Sequence, residues 1–454
     1  MPFQLTKEFI ITLKEIINEK DEKKAISLIN ELHPADIAEI YDEISIEEAK
    51  FLYFLLDGEK AADVLVELEE DDREKFLRAI PSEQIARQFI HNMDSDDAAD
   101  VIGEMSAKDQ EEILAHITDV DQAGDIVDLL NYDEDTAGGL MAKELVVVNE
   151  NWTVEKCITE VKKQVESVDE VYYVYVINDD SILKGTVSLK NLLIKPNATK
   201  ISKIYNSDII SVRTDTESEA VANIMEKYDL VALPVIDSIG RLMGRITIDD
   251  VVDVIREEAE KDYQMASGIS EDIEPTDKVL VLSRARLPWL LIGLAGGIMG
   301  ALVLGGYHEL LTKYAGIVLF LPLIAAMAGN VGVQSSAIIV QGLANKSIGL
   351  TSTGKRLSKE FLVALLNGLI LSFILFIFST LYNKNFNLTL TISVSLFAVI
   401  IFASFFGTLI PLLLNRFKID PAVATGPFIT TLNDIMGLFI YLITATIIYN
   451  AFPG

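Results

Sequence analysis

The chain has 454 residues, 68 acidic and 38 basic side chains, a formal net charge of -30, and hydrophobic residues at half of its positions. So acidic a protein would repel nucleic-acid phosphates, and its one cysteine, Cys157, excludes an intramolecular disulfide and suits a reducing compartment. The charge is uneven: -25 over residues 1–140 (37 acids, 12 bases), -11 over 141–278 (27 and 16) and +6 over 279–454 (4 and 10). An acidic, water-soluble front therefore precedes an apolar, mildly basic rear, and divalent cations are the natural counter-charge for the front.

Met1–Asp21 mixes charges at close spacing where a secretory leader would present an apolar core, so the front half is expected to stay in the cytoplasm. Residues 1–130 repeat a small–acidic–apolar signature at Ala38-Glu39-Ile40, Ala62-Asp63-Val64, Ala99-Asp100-Val101 and Gly124-Asp125-Ile126. With a degenerate copy at Ala86-Arg87-Gln88, the steps are 24, 24, 13 and 25 residues. This predicts an all-α domain of short helices stacked as a superhelix. Helical spacing makes Ala62, Val64, Leu65 and Leu68 core residues, and most acids an outward, solvated face. Asp96 and Asp100 stand apart: at i and i+4 they share one helix surface, repel when bare, and would be stabilised by a bound cation.

From Leu145 the period changes. Leu145–Asn149 and Val171–Ile177 read as strands around a helix at Thr153–Val165, and Gly185–Leu189 returns to strand. The pattern recurs as strand Ile209–Arg213, helix Glu217–Lys227, strands Val231–Ile236 and Gly244–Thr247, and helix Asp249–Ile255. The paired tails Gly185-x-x-Ser188-x-x-Asn191 and Gly244-x-x-Thr247-x-x-Asp250 mark a duplication of an α+β unit. It resembles a tandem pair of cystathionine-β-synthase (CBS) domains. That resemblance implies adenine-nucleotide binding, with ATP a candidate here, Ser188 and Thr247 at phosphate and Asp250 at ribose; Asn191 replaces the acid in the first copy.

In the rear, runs without charge cover Leu287–His308, Tyr314–Asn345, Phe361–Asn383, Asn385–Asn415 and, but for Asp434, Pro421–Gly454. Each supplies the roughly 20 apolar residues that a bilayer-crossing helix needs, so five spans are expected. The two longest runs leave room for a re-entrant piece. Eight bases (Arg284, Arg286, Lys346, Lys355, Arg356, Lys359, Arg416, Lys418) fall on the side of the N-terminus, against Lys313 and Lys384 opposite. The N-terminus is then cytoplasmic and the C-terminus extracytoplasmic. Glycines and alanines of span one, Gly293 to Ala301, read as packing residues. Asp434 is a lone carboxylate at membrane depth, costly unless it faces a water-filled path. Asn330, Gln334, Ser335 and Ser336 of span two add neutral oxygens, a donor set for a hard, partly hydrated cation.

Together, the motifs His33-Pro34-Ala35-Asp36, Tyr132–Met141, Gly329-Asn330-x-Gly332-x-Gln334-Ser335 and Asp420-Pro421-Ala422 through Thr431-x-x-Asp434 resemble the MgtE-type magnesium transporter family over essentially the full length. The implied architecture is multidomain. An all-α superhelical N-domain (1–140) leads to an α+β CBS pair (141–200 and 201–252), a plug-like connecting helix (253–280) and an all-α membrane domain of five transmembrane helices (281–454). The resemblance implies a homodimer with a pore between the two membrane bundles. Pore Mg2+ falls to Asp434 with Asn330, Gly329 and Thr430. Regulatory Mg2+, closing the pore when abundant, falls to Asp63, Asp96 and Asp100, to Glu217, Glu219, Asp229, Asp250 and Asp253, and to Glu258 and Asp262. Ala328 and Val333 depart from the family's span-two motif, and Lys261 stands where an acid is usual. The alternative is a secondary transporter using Asp434 for a coupling proton or sodium ion, but obvious inverted repeats are lacking. An enzyme would need a nucleophile or metal cluster, which Cys157 and four scattered histidines do not offer.

Overall fold

The structure is a computed structural model describing residues 3–165, 168, 171–270, 273, 277–344, 353–383, 385–424 and 426–452. It divides into two compact units, Met1–Arg256 and Glu257–Gly454. Lys346 and Lys384, counted above for orientation, lie outside the described residues.

The first unit opens with short helices from Lys7–Glu19 to Val120–Leu129, and side-chain caps explain where several of them begin. Asp57 starts the helix Gly58–Val66 by accepting from Lys60 N at 3.0 Å, and Ser45 and Glu48 form a reciprocal capping box on Ile46–Tyr53. Ala62, Val64, Leu65 and Leu68 are buried and Asp63 is exposed, as the spacing predicts. Consecutive repeats are stitched by side chains reaching the carbonyls that end the neighbouring helices. Lys60 Nζ donates to Asn30 O (2.7 Å) and Leu32 O (2.6 Å), and Gln122 Nε2 to Ile90 O (2.9 Å). The degenerate repeat keeps this role, since Gln88 Nε2 reaches Leu56 O at 3.4 Å. Phe76, fully buried, meets the rings of Tyr41, Tyr53 and Phe89 at 6.2, 5.1 and 6.0 Å, so one aromatic cluster joins several repeats.

The duplication is plain in two three-stranded sheets, β1 (Val146–Asn149), β2 (Val174–Ile177) and β3 (Leu183–Val187), then β4 (Val212–Arg213), β5 (Ala232–Ile236) and β6 (Leu242–Thr247). In each, the first two strands run parallel, joined across the helices Val154–Gln164 and Ser218–Tyr228, and the last two pair as a hairpin. Even the register shift recurs, at Val176/Ile177 and Val235/Ile236. The closing helix does not stop at Ile255. It runs as one element, Ile248–Ala266, because no glycine or proline interrupts it before Gly268, whose φ of +81° ends it. The second CBS copy and the connecting helix therefore share a helix, and that helix ends short of residue 280.

Among the described residues the second unit holds five helices long and apolar enough to cross a membrane: spans one (Val279–Gly306), two (Ala315–Leu343), three (Gly354–Tyr382), four (Phe386–Arg416) and five (Pro427–Ala451). Span two opens with a 3-10 turn, Ala315–Phe320, and becomes α-helical at Leu321, where Pro322 sits in the first turn and needs no N–H partner. Among the described residues each of the two longest runs supplies one candidate span. Of the span-one glycines, Gly296 packs against Thr431, whereas a Cβ added at Gly293 or Gly297 would meet no atom within 4 Å.

Candidate functional site

Span five starts at Gly426, whose φ of +58° turns the chain into Pro427 at the first helical position. Thr430 Oγ1 donates back to Gly426 O at 2.9 Å, which fixes its rotamer. Thr430 and Asp434, at i and i+4, then share one face, whereas Ile429, Asn433 and Gly437 form the buried face. Span two meets both. A Cβ on Gly329 would lie 3.2 Å from Asp434 Oδ1 and from Thr430 Cγ2, so a larger residue there would press on the carboxylate and on Thr430. A Cβ on Gly332 would sit 1.8 Å from Asn433 Nδ2, and one on Gly437 2.9 Å from Ala328 Cβ, placing the two helices at backbone-touching distance.

On the open side of this contact is a cavity of about 370 Å³ lined by Ala326, Gly329, Asn330, Val333, Gln334, Thr430 and Asp434. Asn330 and Gln334 are exposed along it and Asp434 is half-buried. Among the described residues no Lys, Arg or His pairs with Asp434. One carboxylate, two amides, a hydroxyl and no sulfur or imidazole make a donor set for a hard cation that keeps part of its water.

A second concentration of carboxylates lies in the first unit. The helix Ser95–Gly103 carries Asp96, Asp97 and Asp100, with Asp94 at its N-cap. Ser95, fully buried, accepts from Lys143 N at 2.9 Å and donates to Glu144 Oε2 at 2.8 Å, drawing Glu144 in. Asp94, Asp96 and Glu144 each offer an oxygen within 4.8 Å of the others. Asp250 approaches from the helix Ile248–Ala266, its Oδ2 accepting from Thr247 N (2.9 Å) and Thr247 Oγ1 (2.8 Å). The crowding shows in the pKa values. Burial, then Asp97 and Asp250, push Asp96 well above the usual carboxylate range. Burial and Asp250 raise Asp97 to about 7, burial and Glu134 raise Asp100 to about 7, and burial raises Asp250 to about 6 against the opposing Thr247 bonds.

Family models match residues 32–135 as the MgtE intracellular N domain, 137–196 and 201–257 as CBS domains, and 321–444 as a divalent cation transporter. The magnesium transporter MgtE of Thermus thermophilus is 32% identical over 98% of this chain and 100% of its own length. The chain belongs to the MgtE family. The magnesium transporter MgtE of Enterococcus faecalis is 35% identical over 73% of each chain. A crystal structure of the cytosolic domain of the Mg2+ channel MgtE in complex with ATP is 33% identical, with a TM-score of 0.51, covering 54% of this chain and 99% of that one. The soluble part of a magnesium transporter gives 29% and 0.50, covering 56% and 99%.

Within this MgtE-family chain, the geometry gathers Asp434, Asn330, Gly329 and Thr430 around one cavity, and Asp96 and Asp100 with Asp250 in one cluster. The other acids named from sequence are spread out. Asp63, Glu217, Glu219, Asp229 and Asp253 are exposed, Asp229 closing its helix at φ +50°, and Glu258 and Asp262 are half-buried. Lys261 Nζ lies 3.3 Å from Glu258 Oε1, so the residue that departs from the family pattern sits on a sensor candidate. Ser188 caps the helix Leu189–Ile194 by accepting from Asn191 N at 3.2 Å. Sequence reasoning misses Asp94, Asp97, Glu134 and Glu144; the Asp94–Asp100 run carries the signal for two of them, and only the fold brings in the others.

Proposed function

We propose that the chain is a passive Mg2+ channel of the cell membrane whose acidic front half senses cytoplasmic Mg2+ and closes the pathway when it is plentiful. The observation that carries this reading is the Asp434 cavity, a single carboxylate among neutral oxygens at membrane depth. Asp434, Asn330, Gly329 and Thr430 hold the passing ion, largely through its water shell. Asn330 and Gln334 stay exposed at the surface of a single chain, which fits a pathway completed by a second copy, a homodimer. The distribution of basic residues between the spans supports an N-terminus in the cytoplasm and a C-terminus outside.

The sensor reading rests on the geometry of the cluster of Asp96, Asp97, Asp100 and Asp250, carboxylates buried close together, each of which carries the cost of burial and of its acidic neighbours. Mg2+ would supply it, and the outlying acids from Asp63 to Asp262 would add weaker sites whose differential affinities sum. ATP enters as a second regulator through Ser188, Thr247 and Asp250, supported by the ATP complex of a relative's cytosolic domain. The five-span membrane family to which the chain belongs favours this over an ion-coupled carrier. Purified protein in liposomes, with Mg2+ varied on each face, tests it: flux should fall as Mg2+ rises on the cytoplasmic face, and flux indifferent to that face rejects the sensor.

A further inference from the structure

Asp434 is not the only carboxylate within the apolar helices. Glu360 stands in span three, about two turns from its start, and takes no part in the Asp434 cavity. Ser335 Oγ of span two donates to Glu360 Oε1 at 2.7 Å, Ser404 Oγ of span four reaches the same oxygen at 3.1 Å, and the two hydroxyls are 3.1 Å apart. Both serines are almost fully buried, at 4% and 2% exposure. Three spans thus meet at one oxygen. A charge-assisted hydroxyl–carboxylate bond is roughly twice as strong as a neutral one, so the carboxylate ties the two serines together more firmly than a neutral acceptor would.

Ser335 directly follows Gln334, so the two side chains leave span two about 100° apart. One turn earlier the same back face is pinned again: a Cβ on Gly407 would lie 2.5 Å from Gly332 O, and Asn433 fills the other side of Gly332. The front face, Asn330 and Gln334, lines the cavity. A rotation of span two by about 30° would carry an atom roughly 6 Å from its axis through about 3 Å, the difference between touching an ion's water shell and missing it. We infer that Glu360 is a positioning residue: through Ser335 and Ser404 it fixes the rotation of span two that presents Asn330 and Gln334 to the Asp434 cavity. This rests on the cavity being the ion pathway.

The test measures Mg2+ and Co2+ flux by the full-length protein in liposomes. Glu360→Ala and the double variant Ser335→Ala/Ser404→Ala should each change the Mg2+-to-Co2+ flux ratio by roughly 3- to 20-fold, the range that interhelical hydrogen bonds in membranes support. Combining all three substitutions should add nothing further, because they break one clamp. Glu360→Gln keeps an acceptor oxygen but loses the charge, so its ratio should fall between those of wild type and Glu360→Ala. A ratio unmoved by the double variant, an additive triple variant, or a Glu360→Gln ratio like that of Glu360→Ala each overturns the inference; the serine pair keeps the test available if Glu360→Ala does not fold. Asp434→Asn runs alongside. If it conducts like wild type the pathway reading fails, whereas its loss of flux beside silent Glu360 variants removes only the clamp.

Discussion

Asp434 and Gly332 stand on facing helices, and each is constrained by what its neighbours leave room for. At a water-separated distance of about 4.5 Å, a doubly charged ion gains about 2 kcal/mol from one carboxylate even at the dielectric of water. Asp434→Asn, close in size and shape, should therefore lower Mg2+ flux by roughly 30-fold while the protein inserts and folds normally, checked by flux per inserted protein. Wild-type flux in that variant rejects Asp434 as an ion site. Gly332→Ala acts through packing: its methyl would enter the space of Asn433, which is fully buried and has nowhere to retreat. Overpacking of this kind costs about 1–3 kcal/mol, so thermal unfolding in detergent should move down by several degrees. Gly293→Ala, with nothing within 4 Å of its added carbon, is the control and should not lower the midpoint.

At the scale of elements, the helix Ser95–Gly103 holds carboxylates whose pKa values are raised in the folded protein. A group with a folded pKa above its unfolded value binds extra protons when folded, so its stabilising contribution is complete below about pH 4 and is lost as pH rises toward 7. Without Mg2+, the protection of the Ser95–Gly103 amides, their exchange corrected for the base-catalysed intrinsic rate, should accordingly fall between pH 5 and 7.5, and millimolar Mg2+ should remove most of that fall. Protection that is flat with pH in the absence of Mg2+ would mean the cluster is not strained. Much of this is legible in the sequence. Asp96 and Asp100 share a helix face by spacing alone, and the repeated Gly-x-x-Ser/Thr tails foretell two like sheets. What spacing does not show is contact between distant segments: Glu144 joins Asp96 only because Ser95 bonds it, and Glu360 meets Ser335 and Ser404 only because three spans converge. Hydropathy hides Glu360, because the uncharged run of span three begins one residue after it, whereas the helix begins at Thr353. Polarity likewise overextends the connecting helix, since Gly268 terminates it by its backbone conformation.

Across the whole molecule, the two proposed ligands meet at Asp250. Its carboxylate takes two bonds from Thr247 and belongs to the Asp96 cluster, so it lies where a ribose contact and a Mg2+ site would coincide. Linkage then requires that any factor by which ATP changes the Mg2+ affinity of the closed state equals the factor by which Mg2+ changes ATP affinity. Thr247→Ala cannot separate the two, because the Thr247 hydroxyl also bonds Asp249 and Asp250. Ser188→Ala can: its hydroxyl serves the helix Leu189–Ile194 and touches no member of the acidic cluster. Calorimetric titration of the full chain with ATP, at low and at saturating Mg2+, should show the affinity change between the two conditions. Ser188→Ala should weaken ATP binding by about the worth of one hydrogen bond to a charged group, 1.5–3 kcal/mol or roughly 10- to 150-fold, and leave the Mg2+ dependence of flux in ATP-free liposomes untouched. Asp250→Ala should alter both. If Ser188→Ala shifts the ATP-free Mg2+ dependence, the first CBS copy belongs to the Mg2+ sensor itself; if neither variant changes the heat of ATP binding, the nucleotide does not use these residues and the acidic cluster answers to Mg2+ alone.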